Sequence, residues 1–225
     1  MTEDDKKHVD AVEVFKNSRI NILDRRVKYI FSKDPVLANY IRTKNYIDYY
    51  LSNSFSHFFV YTIIGQLIST QIANNIFAKF TNMCKNNFSP DNILKFSPDK
   101  LRSCGMSYKK ANYILGFMQL LLQQQDYLNK ISTLPDILAV KELIKSPGIG
   151  KWTAKMILMF YFDRQNIVPI EDFAFIRGYN HLYNTNKTPT QISLDFKRFE
   201  PYMSIASRYV YAYADDTFKN TQKKQ

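Results

Sequence analysis

The sequence predicts an all-α fold, a bundle of helices with no sheet. Three observations carry that expectation. Apolar residues recur along the chain at three- and four-residue spacing. Proline repeatedly follows a Ser or Asp that can cap a helix start. No stretch alternates polar and apolar residues for long enough to propose a strand.

The elements follow in order. Asp34-Pro35 opens a helix in which Val36, Leu37, Tyr40 and Ile41 share a face. Proline suits the first turn because an N–H there would have no helical partner. From Phe55 to Phe80 the pattern is longer and more apolar, with Phe58, Phe59, Ile63, Ile64, Leu67, Ile68 and Ile72, and it reads as two buried helices or one broken helix. Ser89-Pro90-Asp91 and Ser97-Pro98-Asp99 are paired starts of short helices. Lys109 to Gln125 is helical with Ile114, Leu115, Phe117, Met118 and Leu121 inward, and Leu134-Pro135-Asp136 opens a helix that continues through Ile144. Trp152 to Phe162 is apolar on nearly every side, as in a central helix. Phe173 to Tyr183 and Ser204 to Ala214 complete the bundle. Met1 to about Val9 and Thr217 to Gln225 read as polar, mobile tails, so the expected organisation is an N-terminal tail and extension over residues 1–30, the helical fold over 31–216 and a tail over 217–225.

Composition narrows the function. At 225 residues and 45% hydrophobic content the chain can bury a substantial core. Its 31 Lys and Arg against 20 Asp and Glu give a net charge of +11, which favours a polyanionic partner such as nucleic acid. Cys84 and Cys104 are the only cysteines, and neither has the close partner that a zinc or redox motif requires. His8, His57 and His181 form no ligand spacing, so no metal site is expected. The start Met1-Thr2-Glu3-Asp4-Asp5-Lys6-Lys7 lacks an apolar signal core, and no segment offers an uninterrupted membrane-spanning run. The expected setting is the cytoplasm, beside the nucleoid in a bacterium, or the nucleus in a eukaryote.

The most informative stretch is Ser146-Pro147-Gly148-Ile149-Gly150-Lys151-Trp152-Thr153-Ala154, followed by Val168-Pro169-Ile170-Glu171-Asp172-Phe173. A tight glycine hairpin between two helices turns backbone amides outward, and such a nest binds phosphate oxygens without a particular side chain. Gly148, Ile149, Gly150, Lys151 and Thr153 are the candidate backbone-binding residues. Asp172 stands at the start of the next helix, where an Asp commonly caps.

These residues resemble the helix-hairpin-helix (HhH-GPD) DNA glycosylase superfamily, and within it the 3-methyladenine DNA glycosylase II family. The likeness runs from about Asp34 to Asp215. Ile64-Gly65-Gln66-Leu67-Ile68-Ser69 is similar to the family's glutamine-serine helix, and Leu101 to Ala111 is similar to its glycine turn with basic follow-up, which adds Lys109 and Lys110 to the DNA-binding candidates. Two departures stand near the end: Met203 in place of the usual Arg, and Tyr211 where a Trp is common. The resemblance implies two helical lobes with the active site between them, acting as a monomer on double-stranded DNA that contains damaged bases. It implies no cofactor, save a monovalent cation resting on hairpin carbonyls. The iron–sulfur cluster of some relatives is excluded because residues 216–225 contain no cysteine.

The chemistry implied is hydrolysis of the N-glycosidic bond. Cleavage develops positive charge on the deoxyribose, and one carboxylate, Asp172, can stabilise that charge and orient water, with Glu171 as the fallback. A base alkylated on a ring nitrogen is already cationic and leaves neutral, which removes the need for a general acid. In lyase relatives a lysine directly precedes the Thr-Ala pair; here Trp152 occupies that place, and Lys151 is rotated from it by about 100°. The enzyme implied is therefore monofunctional. A flipped base would rest on electron-rich rings, for which Trp152, Tyr61, Tyr209 and Tyr211 are candidates alongside Gln66. The loop Lys85-Asn86-Asn87-Phe88 is one source for a residue that fills the gap. Two alternatives stay open: a glycosylase for oxidised or mismatched bases, and a non-catalytic helix-hairpin-helix module.

Overall fold

The computed structural model describes residues 15–44 and 46–222; His8 and the Met1–Val9 stretch lie outside them. In chain order the elements are β1 (Phe15–Asn21), α1 (Arg25–Lys33), α2 (Pro35–Thr43), β2 (Tyr46–Ser52), α3 (Phe55–Gly65), α4 (Thr70–Met83), α5 (Pro90–Ile93), α6 (Pro98–Arg102), α7 (Tyr108–Gln123), α8 (Tyr127–Thr133), α9 (Asp136–Leu143), α10 (Lys151–Phe160), α11 (Phe173–Leu182), α12 (Pro189–Phe196) and α13 (Met203–Gln222). The chain divides into two units, one built on Ser52–Thr153 and the other on Asn17–Leu51 together with Ala154 onward.

The first unit is entirely helical. Serine caps mark its helix starts: Ser54 accepts from the His57 amide, Ser89 from Asn92, Ser97 from Lys100 and Ser107 from Lys110. Each is worth about 1 kcal/mol. The long apolar run from Phe55 is two helices, because the chain leaves α3 at Gly65, passes through Leu67 at φ +59°, and restarts where Ser69 caps α4. Phe55, Phe59 and Phe117 stack at the centre, with Phe59 and Phe117 ring centroids 4.3 Å apart. His57 is wedged between Phe77 and Phe88, and burial pulls its pKa down to about 4, so it stays neutral. Phe88 is therefore a core residue, while Lys85, Asn86 and Asn87 of the same loop are exposed.

In the second unit Asp34 ends one helix and begins the next: its amide bonds the Ile30 carbonyl, closing α1, while its carboxylate accepts from the Leu37 amide at the start of α2. The core joins Val27, Ile30, Leu37 and Ile41 to Phe175, Tyr179, Phe196, Phe199, Ile205 and Val210. Gly178 lets α11 lie against α13, since a Cβ there would come within 2.8 Å of the Ala214 methyl. Arg208 is buried between Tyr49 and Phe160, its Nη2 held by the Met159 carbonyl at 2.6 Å, and burial lowers its pKa to about 10.

The all-α class holds, with one correction: β1 and β2 form a two-stranded sheet. Ile20, Ile47 and Tyr49 face inward while Arg19 pairs with Asp48 at 2.8 Å and lies over Tyr46. Two short strands with one buried face each give too brief an alternation to separate from loop sequence. The fold also begins before residue 31, with β1 and α1, and α13 runs past residue 216 to Gln222. Helices α1, α8 and α12 lay outside the sequence expectation. Among the described residues no helix is long and apolar enough to cross a membrane.

Candidate functional site

The hairpin belongs to the first unit, between α9 and α10. Ile149, 4% exposed, anchors it in the core, and the Ile149 amide closes the turn on the Ser146 carbonyl at 3.1 Å. Gly148 sits at φ +86°, and a Cβ on it would meet Tyr113 ring and methylene atoms at 2.3 to 2.7 Å. Only glycine fits there. Gly150 is different, because a Cβ on it would meet nothing within 4 Å. Lys151 is exposed at the start of α10, Trp152 is half-buried and Thr153 is buried.

Gln66 fastens this loop from below. Its Nε2 donates to the Gly148 carbonyl and to Thr153 Oγ1, both at 3.0 Å. Its side-chain nitrogen is thus committed to holding the hairpin, a role different from the base contact expected of it. Lys110 requires a similar correction as a DNA-binding candidate: its ammonium donates to the Ile64 and Gln66 carbonyls at 2.7 Å each, closing the end of α3, and burial lowers its pKa. Lys109 is exposed, 5.8 Å above the Tyr113 ring. Tyr61 is half-buried, donates to Asn74 Oδ1 at 3.0 Å and packs edge-on against Phe77. Gln66→Leu is expected to cost about 1–3 kcal/mol, because it strands the Gly148 carbonyl and the Thr153 hydroxyl. A Tm within error of the parent would show that the tether carries no weight.

The candidate acid lies in the second unit. Asp172 caps α11 with φ −93° and ψ 118°, and its Oδ1 accepts from both Ala174 N at 2.8 Å and Phe175 N at 3.2 Å. The loop before it is folded on itself, with Ile170 N bonded to the Val168 carbonyl and Asp172 N to the Pro169 carbonyl. Ser204 Oγ, at the start of α13, takes the Ile167 amide at 2.9 Å. Lys155 of α10 reaches the same loop: Nζ is 2.7 Å from Glu171 Oε2 and 3.0 Å from the Val168 carbonyl.

The Tyr211 hydroxyl is buried, and its phenol pKa is pushed well above 10, first by burial and then by the neighbouring carboxylates of Asp172 and Glu171. The structure thus brings Tyr211 to the acid. Tyr209 is wholly buried in the core, with its pKa raised to about 12, which removes it from the base-contact candidates. Met203 is likewise buried.

Two residues escaped sequence reasoning. Leu67 is fully exposed, with left-handed backbone, at the tip of the α3–α4 turn. Phe173, directly after Asp172, is 76% exposed. Both sit in apolar runs whose periodicity places leucine and phenylalanine inward, so the signal was the break in the run itself. Among the described residues no group of His, Cys, Asp and Glu is arranged to hold a metal ion.

The profile of the HhH-GPD superfamily, described as base excision DNA repair proteins, matches residues 60–201, from the interior of α3 to just short of α13. The chain belongs to that superfamily. DNA-3-methyladenine glycosylase 1 of Schizosaccharomyces pombe is 25% identical over 158 residues, covering 66% of this chain and 68% of the relative. A DNA-3-methyladenine glycosylase of Bacillus subtilis is 31% identical over 120 residues, 51% of this chain and 40% of that protein. In structure the chain is similar to a DNA-3-methyladenine glycosidase from Bacillus halodurans, with TM-score 0.78, 22% identity, and coverage of 90% and 94% of the two chains. An 8-oxoguanine glycosylase/lyase from Clostridium acetobutylicum, solved with double-stranded DNA, aligns with TM-score 0.72 at 18% identity over 96% of this chain and 77% of that one. The shared fold thus spans both alkyl-base and oxidised-base enzymes.

Proposed function

We propose that this HhH-GPD protein is a monofunctional DNA glycosylase that flips alkylated bases of the 3-methyladenine type out of duplex DNA and hydrolyses their N-glycosidic bond. The observation that carries this reading is the residue before Thr153-Ala154: Trp152, where a lyase requires lysine. The names of the relatives point to the same substrate class.

In this mechanism the Asp172 carboxylate stabilises the cation that develops on the sugar and receives a proton from the attacking water, while the alkylated base departs with the bonding electrons as a neutral molecule. Trp152 offers a ring to a cationic base. Leu67, fully exposed at its turn, is a side chain suited to fill the space that the base leaves. The hairpin amides and Lys151 hold a phosphate. The Ser146 and Gly148 carbonyls each accept one hydrogen bond within the protein, leaving a second lone pair apiece for a monovalent cation, which would add positive charge beside the phosphate. The enzyme acts as a monomer, in the cytoplasm or the nucleus, wherever the chromosome lies.

The test is release of free base from methylated duplex DNA, with borohydride added in parallel to capture any sugar–amine adduct. Release without capture is the expected result. Capture would move the oxidised-base lyase reading forward, and binding without release would favour a non-catalytic module.

A further inference from the structure

We propose that Lys110 is a positioning residue for base extrusion: it braces the turn that carries Leu67, so that this side chain stands ready to enter the duplex as the base leaves. The proposal rests on the glycosylase reading and on Leu67 as the residue that fills the gap.

The side chain of Leu67 is fully exposed, so packing does not fix it, and its backbone is left-handed at φ +59°. A residue with a side chain keeps such a conformation only where its surroundings over-determine it. The constraint therefore comes through the backbone on either side. After the turn, Ser69 Oγ accepts the Ile72 amide at 3.4 Å and starts α4. Before it, the Gln66 and Ile68 amides reach back to the Ile63 and Gly65 carbonyls at 3.3 and 3.5 Å, both longer than an ordinary N–H···O bond. The short contacts belong to Lys110. Its ammonium donates at 2.7 Å to the Ile64 carbonyl and at 2.7 Å to the carbonyl of Gln66, the residue directly before Leu67.

Lys110 is itself held at its root. It lies in the first turn of α7, where its amide donates to Ser107 Oγ at 3.3 Å, and its side chain is half-buried. A charged donor makes a stronger hydrogen bond than a neutral one, and the carbonyls at the end of a helix also attract a cation through the dipole. The braced turn is joined to the hairpin as well. Gln66 gives its carbonyl to Lys110 and donates its side-chain amide to the Gly148 carbonyl and the Thr153 hydroxyl at 3.0 Å each. One residue thus links the Leu67 turn, the start of α7 and the loop that holds a phosphate in the proposed mechanism. A phosphate seated on the hairpin then sets where Leu67 stands against the base stack. Without the Lys110 ammonium two carbonyls lose their partner and Leu67 is released to other backbone conformations, while the hairpin stays tied through Gln66 Nε2.

A duplex with a single alkylated base and 2-aminopurine beside it reports extrusion as a rise in fluorescence, and single-turnover release of the base reports excision. Affinity for undamaged duplex and thermal unfolding are measured alongside. Lys110→Met is expected to lower extrusion and excision together by about tenfold, with the affinity for undamaged duplex and its salt dependence unchanged. Leu67→Ala is expected to lower both by about the same factor. Leu67→Ala/Lys110→Met is expected to match Leu67→Ala within about twofold, because a brace does nothing once the side chain it aims is gone. Lys110→Arg keeps charged donors and is expected to lose less than about threefold. Should Lys110→Met not fold, Lys110→Gln retains one donor group and gives the same pattern at smaller amplitude. Losses that multiply in the double variant overturn the proposal, since Lys110 would then act independently of Leu67. So does a lowered affinity for undamaged duplex with a shallower salt dependence, which would make Lys110 a phosphate contact. Extrusion unaffected by Leu67→Ala overturns it too. The same pattern of extrusion in a protein that releases no base supports the brace and sinks the hydrolysis reading instead.

Discussion

Asp172→Asn is expected to lower excision of alkylated bases at least about a hundredfold while leaving the fold and duplex affinity intact. Asparagine is the informative replacement because it is as good a helix cap as aspartate. Its side-chain oxygen can take the same Ala174 and Phe175 amides that Oδ1 now takes at 2.8 and 3.2 Å. The substitution therefore removes the charge and keeps the hydrogen bonds. A structural cap would leave the rate unchanged; a carboxylate facing a developing cation would not. Thermal unfolding and duplex binding are measured on the same preparation. Full activity in this variant would reduce Asp172 to its capping role and shift attention to Glu171.

The second large effect separates two glycines that look alike in sequence. Gly148→Ala combines a left-handed backbone, worth about 1–2 kcal/mol against a side chain, with overpacking against the root of the Tyr113 side chain, worth about 1–3 kcal/mol. Because the blocking atoms include the Cβ of Tyr113, a rotamer change cannot clear them. The expected loss is about 2–5 kcal/mol, and duplex binding falls with it. Gly150→Ala places its methyl in open space and is expected to cost under about 1 kcal/mol. A several-fold loss of duplex affinity in that variant, at nearly unchanged Tm, would report the close approach of a phosphate to the loop. Unchanged affinity would argue against the phosphate-nest role.

The parts legible in the sequence were those written in residues with one conformational meaning. Pro90, Pro98 and Pro147 with their preceding serines, the Gly148-Ile149-Gly150 turn, and Asp172 ahead of an apolar helix all specify local backbone, and each lies where such residues require. What stayed hidden depends on contacts far along the chain. Lys110 reads as one more exposed cation until the Ile64 carbonyl, 46 residues earlier, appears beside it. Gln66 is 82 residues from the carbonyl it holds. Tyr113 gives no sign in sequence of being the post against which Gly148 rests. Tyr209 and Tyr211 differ by two residues on one helix, which turns one wholly into the core and the other toward Asp172.

The division of the chain also bears on how it is made. The first unit takes nothing from beyond Thr153, whereas the other draws on residues 17–51 and on everything after 153. During synthesis, the first unit has all its partners once residue 153 has emerged. The strands and helices of residues 17–51 have no completed core until α11 and α13 follow, and Phe175, Tyr179, Ile205 and Val210 are among the last apolar residues to arrive. Val27, Ile30, Leu37 and Ile41 thus wait uncovered until the helices after Thr153 are made, so residues 17–51 are the segment most exposed to aggregation and to chaperone capture.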